Sequence, residues 1–140
     1  MSKFAALALP IEQPARMIIH HPVTQKPLCD EAGEQAYIDV WSADSETRRK
    51  FERVSANKRL ARRGRAKITA EEIEAEQVSL LVALTAGWHL VDLNGRAIEE
   101  PFTPDNAREL YAEPAMAWLR EQVDEFASDR ANFARASSTI

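Results

Sequence analysis

A run of basic residues near the middle of the chain limits the folds that it can adopt. Between positions 48 and 67 there are ten basic residues and a single acid, Glu52, so the segment carries a net charge of +9. Most of its residues favour helix. A helix with a thin apolar stripe cannot lie deep in a core, so we expect a basic helix at 42–67 that projects, packs along one edge, or orders on meeting a partner. The residues that can form its stripe are Phe51, Val54 and Ala61, with Leu60 to one side.

Acidic residues are concentrated on the C-terminal side of this segment. Positions 71–76 hold four acids and no base, and positions 99–129 hold nine acids against two arginines. The formal net charge of the whole chain is only −4 because these blocks cancel. A chain divided in this way favours a charged partner or self-association into a homo-oligomer.

Length and composition indicate one ordinary globular domain. The chain has 140 residues, of which 45% are hydrophobic and 29% charged. The single cysteine excludes an internal disulfide framework and a multi-cysteine zinc site. The apolar stretch at 4–9 is too short for a signal-peptide core or a membrane span. We therefore expect a cytoplasmic protein with no membrane association.

The pattern of apolar and turn residues predicts an α+β fold, a mostly helical single domain over 1–140. A small N-terminal antiparallel sheet is expected within 1–41, where Ala36, Ile38 and Val40 alternate with polar or aromatic neighbours. A helical core is expected at 68–135, including a β-hairpin at 88–98 built on a two-residue Asn94-Gly95 turn. The tail at 136–140 is small and polar, and we expect it to fray.

Capping residues mark the predicted helix starts. Ser42 or Asp44 can cap the basic helix, and Thr69 opens the next helix with a capping box. Thr103 followed by Pro104 opens a third helix, and Pro114 opens the last. For the second helix we expect a buried stripe of Ile73, Gln77, Leu80 and Leu84, widened by Val78, Leu81 and Val82, with Gly87 as its end. For the last helix the expected stripe is Ala115, Leu119, Val123, Phe126 and Phe133, with Trp118 alongside.

The residues that usually carry catalysis are scarce. His20 and His21 are adjacent and would leave a strand on opposite faces, so they cannot readily share a metal with His89 or Cys29. No local signature marks Cys29 as a nucleophile, and we expect it to pack as a small hydrophobe. The chain has no Gly-rich phosphate loop, metalloprotease helix or serine elbow. We predict a protein that is not an enzyme and binds no metal or cofactor.

Three interpretations of the basic segment remain open. It can be a solvated face, a surface that docks on an acidic protein, or a nucleic-acid contact, for which Phe51 is its one stacking aromatic. Tryptophans most often pack in cores, but a half-exposed one is a good interface anchor. The candidate partner-binding residues are Arg48, Arg49, Arg53, Lys58, Arg59, Arg62, Arg63, Trp88, Trp118 and Phe133.

Four stretches in the second half of the chain form a recognisable series. They are LTAGWHLVDLNG at 84–95, PFTPDNARELY at 101–111, WLREQV at 118–123 and DRANF at 129–133. With the short β section at the start and the Asp44-Ser45 opening of the basic helix, this series resembles the tail assembly chaperones of long-tailed bacteriophages and related prophages.

The resemblance implies a non-enzymatic protein that binds tape-measure protein, tail-tube subunits or both during tail assembly in the host cytoplasm, and leaves before the virion is complete. Two other classes stay open. One is a structural virion component, such as a head–tail connector or tube-associated protein. The other is a small nucleic-acid-binding regulator built on the basic helix.

Overall fold

A computed structural model describes residues 3–62 and 68–134, and it confirms the predicted α+β single domain. Arg63, Gly64 and the tail at 136–140 lie outside the described residues. The strands are β1 (Ala15–Ile18), β2 (Tyr37–Val40), β3 (Thr85–Val91) and β4 (Ala97–Ile98). The helices are α1 (Glu46–Ala61), α2 (Ala70–Leu84), α3 (Pro104–Ala112), α4 (Ala117–Ser128) and α5 (Ala131–Ala134), with 3₁₀ turns at Ala5–Leu7 and Pro114–Met116.

The four strands form one antiparallel sheet in the order β1-β2-β3-β4. The predicted N-terminal sheet and the predicted hairpin are therefore parts of the same sheet, joined where β2 pairs with β3. The alternation in β2 is confirmed, because Ala36, Ile38 and Val40 are all fully buried. Beside the sheet, His20 and Pro27 form one isolated bridge, and Cys29 and Gln35 form another.

The β3–β4 turn differs from the predicted two-residue form. Asp92 N–H donates to the Arg96 carbonyl at 2.8 Å, and the Asp92 carboxylate accepts from the N–H groups of Asn94 and Arg96. Gly95 alone in this turn has a positive φ, of 87°. These bonds define a three-residue loop ending in a glycine bulge, which is stabilised by the aspartate.

The helix starts follow their capping residues, with one correction. Thr69 and Thr103 accept N–H bonds from Glu72 and Asn106, as predicted for α2 and α3. The cap of α1 is Ser45, whose Oγ accepts from Arg48 N–H, rather than Ser42 or Asp44. Ser42 instead accepts from Asp44 N–H and shapes the turn before the helix.

The end of α2 differs from the prediction, and only part of its predicted stripe is buried. The helix ends at Leu84, and the chain passes directly into β3, so Gly87 lies within a strand. Trp41 N–H donates to the Leu84 carbonyl at 2.7 Å, which ties the helix end to the residue that follows β2. The predicted residues Val78, Leu81 and Leu84 are buried, whereas Ile73 and Gln77 are exposed and Leu80 is half-buried.

The C-terminal helices α4 and α5 contribute further buried side chains to the core. Leu119, Val123 and Ala127 are buried along α4, and Phe133 of α5 is fully buried. Ala115, which was predicted in this stripe, is exposed because it lies in the 3₁₀ turn before α4. No helix in the described part of the chain is long and apolar enough to cross a bilayer.

A buried hydroxyl pair links α2, β3 and α3. Thr85 Oγ1 donates to the Leu81 carbonyl at 2.8 Å and lies 2.7 Å from the Tyr111 hydroxyl. Because the single threonine proton is already used, the Tyr111 hydroxyl is the donor in the second bond. Tyr111 is fully buried, and burial raises its pKa to about 12.

We predict that Thr85→Val destabilises the protein more than Tyr111→Phe. The first change leaves the buried Tyr111 donor without an acceptor and should cost about 2 kcal/mol, whereas the second removes one neutral bond and should cost about 1 kcal/mol. Urea unfolding measures both. Tyr37→Phe, at a half-buried tyrosine, is the matched control and should cost less than Tyr111→Phe. Equal losses in the two Tyr→Phe variants would contradict the assignment.

The raised pKa of Tyr111 also predicts sensitivity to alkaline pH. Its pKa in the folded chain is above the ordinary value of 10.0, so its contribution to stability is complete below about pH 10 and is lost as the pH rises toward about 12. The free energy of unfolding should therefore fall less steeply over this range in Tyr111→Phe than in the parent chain. Denaturant titrations at several alkaline pH values test this, and parallel curves would refute it.

Candidate functional site

The basic helix α1 packs against the acidic start of α2 as an antiparallel helical hairpin. Arg62 pairs with Glu72, and Arg59 Nη2 lies 3.5 Å from Glu76 Oε1, an order that antiparallel helices produce. Ser55 is the one buried residue of α1, which fits the predicted packing along one edge. Much of the charge division along the chain is thus satisfied within one copy.

The N-terminal end of α1 is also neutralised locally. Glu46 pairs with Arg53 at 2.6 Å and with Arg49 at 3.0 Å, and Arg48 pairs with Glu52 at 2.8 Å. Hydrogen bonds from the guanidinium groups of Arg53, which has the larger effect, and Arg49 hold the pKa of the Glu46 carboxyl below its usual range. Three of the arginines predicted to bind a partner, Arg48, Arg49 and Arg53, therefore already have acidic neighbours in their own chain.

A groove of about 330 Å³ runs between the two helices of the hairpin. Its apolar lining includes Phe51, Val54, Ile68 and Ala75. Val54 is 49% exposed and Ile68 50% exposed, which is unusual for β-branched apolar residues that share one depression. Charged side chains of both signs surround the groove: Arg59 and Arg62 are basic, and Glu72 and Glu76 are acidic. We call this the hairpin groove; its polar lining is Ser55, Lys58, Arg59, Arg62, Glu72, Glu76 and Ser79.

The structure distributes the remaining predicted residues over different places. Trp88 is half-buried, its Nε1–H donates to the Glu100 carbonyl at 2.9 Å, and its ring meets Phe102 edge-on at 5.2 Å. Trp118 is half-buried and lies beside β1. Neither lines that groove. Phe133 is a correction: it is fully buried against Phe126 and is a core residue rather than a partner contact.

The histidines and the cysteine are separated. The His21 Nδ1 accepts N–H bonds from Val23 and Thr24 and so shapes the turn that follows. Cys29 is exposed, which corrects the expectation that it packs as a small hydrophobe; it lies in a loop beside the sheet rather than in a strand facing the core. His89 Nε2 bonds Asp30 Oδ2 at 2.9 Å, a contact that sequence reasoning missed.

Asp30, Glu34 and His89 form the group in the described residues that could hold a metal ion, with ligand atoms within 4.8 Å of one another. The Asp30 carboxylate already accepts N–H bonds from Ala32 and Glu34. The Glu34 N–H is the largest cause that lowers the Asp30 pKa, and His89 adds to it. These hydrogen bonds give Asp30 a structural role: it orders its own loop and attaches that loop to His89 of β3. A signal existed in the sequence, since an aspartate three residues before Gly33 is typical of such turns.

Comparison with family models, with curated proteins and with solved structures found no match to this chain. The hairpin groove combines exposed apolar side chains with charges of both signs, as does a surface that receives an amphipathic helix.

The Arg62–Glu72 pair generates a prediction for the hairpin. The Arg62 guanidinium lowers the pKa of Glu72, so the pair contributes at neutral pH and is lost as the pH falls through that lowered pKa. Arg62→Gln should raise the Glu72 pKa toward its ordinary value, which NMR titration of the side-chain carboxyl carbon measures. Arg53→Gln is the control, because Arg53 pairs with Glu46 instead. An unchanged Glu72 midpoint in Arg62→Gln would refute the pairing.

Proposed function

We propose that this chain is a non-enzymatic protein-binding factor of phage tail assembly, a chaperone that covers apolar helical segments of tape-measure or tail-tube subunits in the host cytoplasm. The sequence resemblance at 84–133 supports the class. The observation that carries the proposal is the hairpin groove, where apolar side chains are half exposed between two helices. Helix-in-groove recognition uses such surfaces.

The apolar surface of the groove comes from both sides of the hairpin. Val54 of α1 and Ile68, just before α2, are each about half exposed within it. Apolar side chains of an amphipathic helix would cover these residues, while its charged positions meet the mixed rim. Tape-measure proteins are long and largely helical, so they offer the apolar stripes that this surface fits.

The size of the groove favours transient binding. A volume of about 330 Å³ receives a few side chains rather than a whole helix. Small interfaces are typical of weak or short-lived complexes. A factor that departs before the virion is complete needs such reversibility.

The intrachain ion pairs weaken the nucleic-acid alternative. Phosphate binding would have to displace the carboxylates that now pair with the α1 arginines.

The alternative of a structural virion component would use the same protein-binding surface. It differs from a chaperone in that the protein stays in the finished particle. Recovery of the chain in purified particles would favour it over a chaperone.

The binding test uses a tape-measure fragment from the same genome, with labelled parent chain titrated by fluorescence anisotropy. Val54→Ser and Ile68→Ser should each weaken binding about tenfold, because each removes apolar area that the partner covers. Val23→Ser is the matched control, since Val23 is 80% exposed in a turn remote from the groove. Equal affinity of all three variants would remove the hairpin groove from the mechanism.

A further inference from the structure

Among the residues that the structure describes, no strand pairs with the outer side of the edge strand β1. Ile19 N–H donates to the Ala36 carbonyl at 3.0 Å, so the odd-numbered residues of this stretch direct their backbone groups toward β2. Backbone groups alternate in direction along a strand. Those of Arg16, Ile18 and His20 therefore point to the open edge, where such groups form a template for another strand.

At one position of that edge, the backbone groups already bond a side chain. The Gln122 amide of α4 accepts from His20 N–H at 3.1 Å and donates to the His20 carbonyl at 2.8 Å. A neighbouring strand would make the same two bonds. Gln122 thus satisfies one end of the edge and leaves the outward groups of Arg16 and Ile18 beside a groove.

This second groove, the edge groove, lies between β1 and α4 and has a volume of about 1030 Å³. Trp118 and Phe126, both half-buried, line it with Glu121, Glu125 and Asp129. Within the described parts of the chain, none of these three acids takes part in an ion pair: the nearby Arg120 pairs with Glu74, and Arg130 pairs with Asp44.

Arg16, the basic residue of the edge groove, is also engaged elsewhere. It pairs with Asp39 at 3.0 Å and stacks on Tyr37, 3.6 Å from the ring centroid, on the outer face of the sheet. The groove therefore presents uncompensated negative charge next to unpaired backbone groups.

We propose that the edge groove binds an extended segment of another protein, added antiparallel to β1, with Lys or Arg at alternate positions. Residues that exchange backbone bonds with Arg16 and Ile18 carry their side chains on the outer face. The alternate residues point toward α4, where basic side chains meet Glu121, Glu125 and Asp129 while their aliphatic stems lie along the aromatic rings. The proposal concerns a different surface from the hairpin groove and does not rest on the proposed function.

The backbone part is tested with the blocked peptide Lys-Val-Lys-Val-Lys-Val-Lys and the full chain. Binding should slow hydrogen exchange at the Arg16 and Ile18 amides, read by NMR. A Lys-Pro peptide of the same length and charge should not bind, because its prolines remove the N–H groups that would face β1. Ile18→Pro should lose the peptide while keeping the fold, since the Ile18 N–H makes no ladder bond.

The charge part is tested by calorimetry with the same peptide. Glu121→Gln with Glu125→Gln should weaken binding about fivefold. Asp105→Asn with Glu109→Gln removes the same charge from α3, outside the groove, and should leave affinity unchanged. A Glu-Val peptide of equal length should not bind.

Three results would overturn the proposal: no binding at millimolar peptide, equal binding of the Lys-Pro peptide, or binding without protection of the Arg16 and Ile18 amides. If Ile18→Pro fails to fold, the Lys-Pro peptide decides the backbone part on the parent chain. If the α3 control, Asp105→Asn with Glu109→Gln, lost as much affinity, the peptide would be attracted by the overall negative charge rather than by the carboxylates of the edge groove.

Discussion

The pairing of β2 with β3 joins two parts of the chain that are separated by the whole helical hairpin. Val40 and Thr85 are register partners, and the hydrogen bond from Trp41 to Leu84 continues the junction. Closing so long a loop costs entropy, which the fully buried residues of β2 offset through apolar contacts with the helices. Once this junction forms, both ends of the α1–α2 insertion are fixed at adjacent points of the sheet.

That constraint explains the unusual composition of the insertion. A hairpin held at its base needs only enough contact between its helices to stay together, and α1 buries little. Ion pairs between exposed side chains contribute modestly to stability, so the charges mainly select how α1 lies on α2. Arg59 and Arg62 meet Glu76 and Glu72 in one antiparallel order.

Local signals in the sequence predicted local structure well. The alternation in β2, the threonine caps of α2 and α3 and the thin stripe of α1 are each set by neighbours within a few residues, and each is confirmed. The stripe of α2 was predicted only in part: Val78, Leu81 and Leu84 are buried, but Ile73 and Gln77 are exposed, because packing against α3 and α4, which come later in the sequence, decides which side of the helix is covered. Sequence alone also missed the hairpin groove, since it depends on which basic residue meets which acid. Phe133 was predicted both in the stripe of the last helix and as a partner contact; it is fully buried, but from the separate helix α5, where it meets Phe126.

The two grooves use different physical chemistry. The hairpin groove offers apolar area with a rim of mixed sign, so a partner gains chiefly from the removal of that area from water and depends weakly on salt. The edge groove offers backbone groups and uncompensated carboxylates, so a partner there gains from directed bonds and from charge attraction that salt screens. Both are shallow, and neither holds a deep anchor. A single partner with a helical segment and a basic extended segment would gain from both surfaces at once, because tethering makes the second contact intramolecular. Occupancy of one groove would then raise the effective concentration at the other without any change in shape.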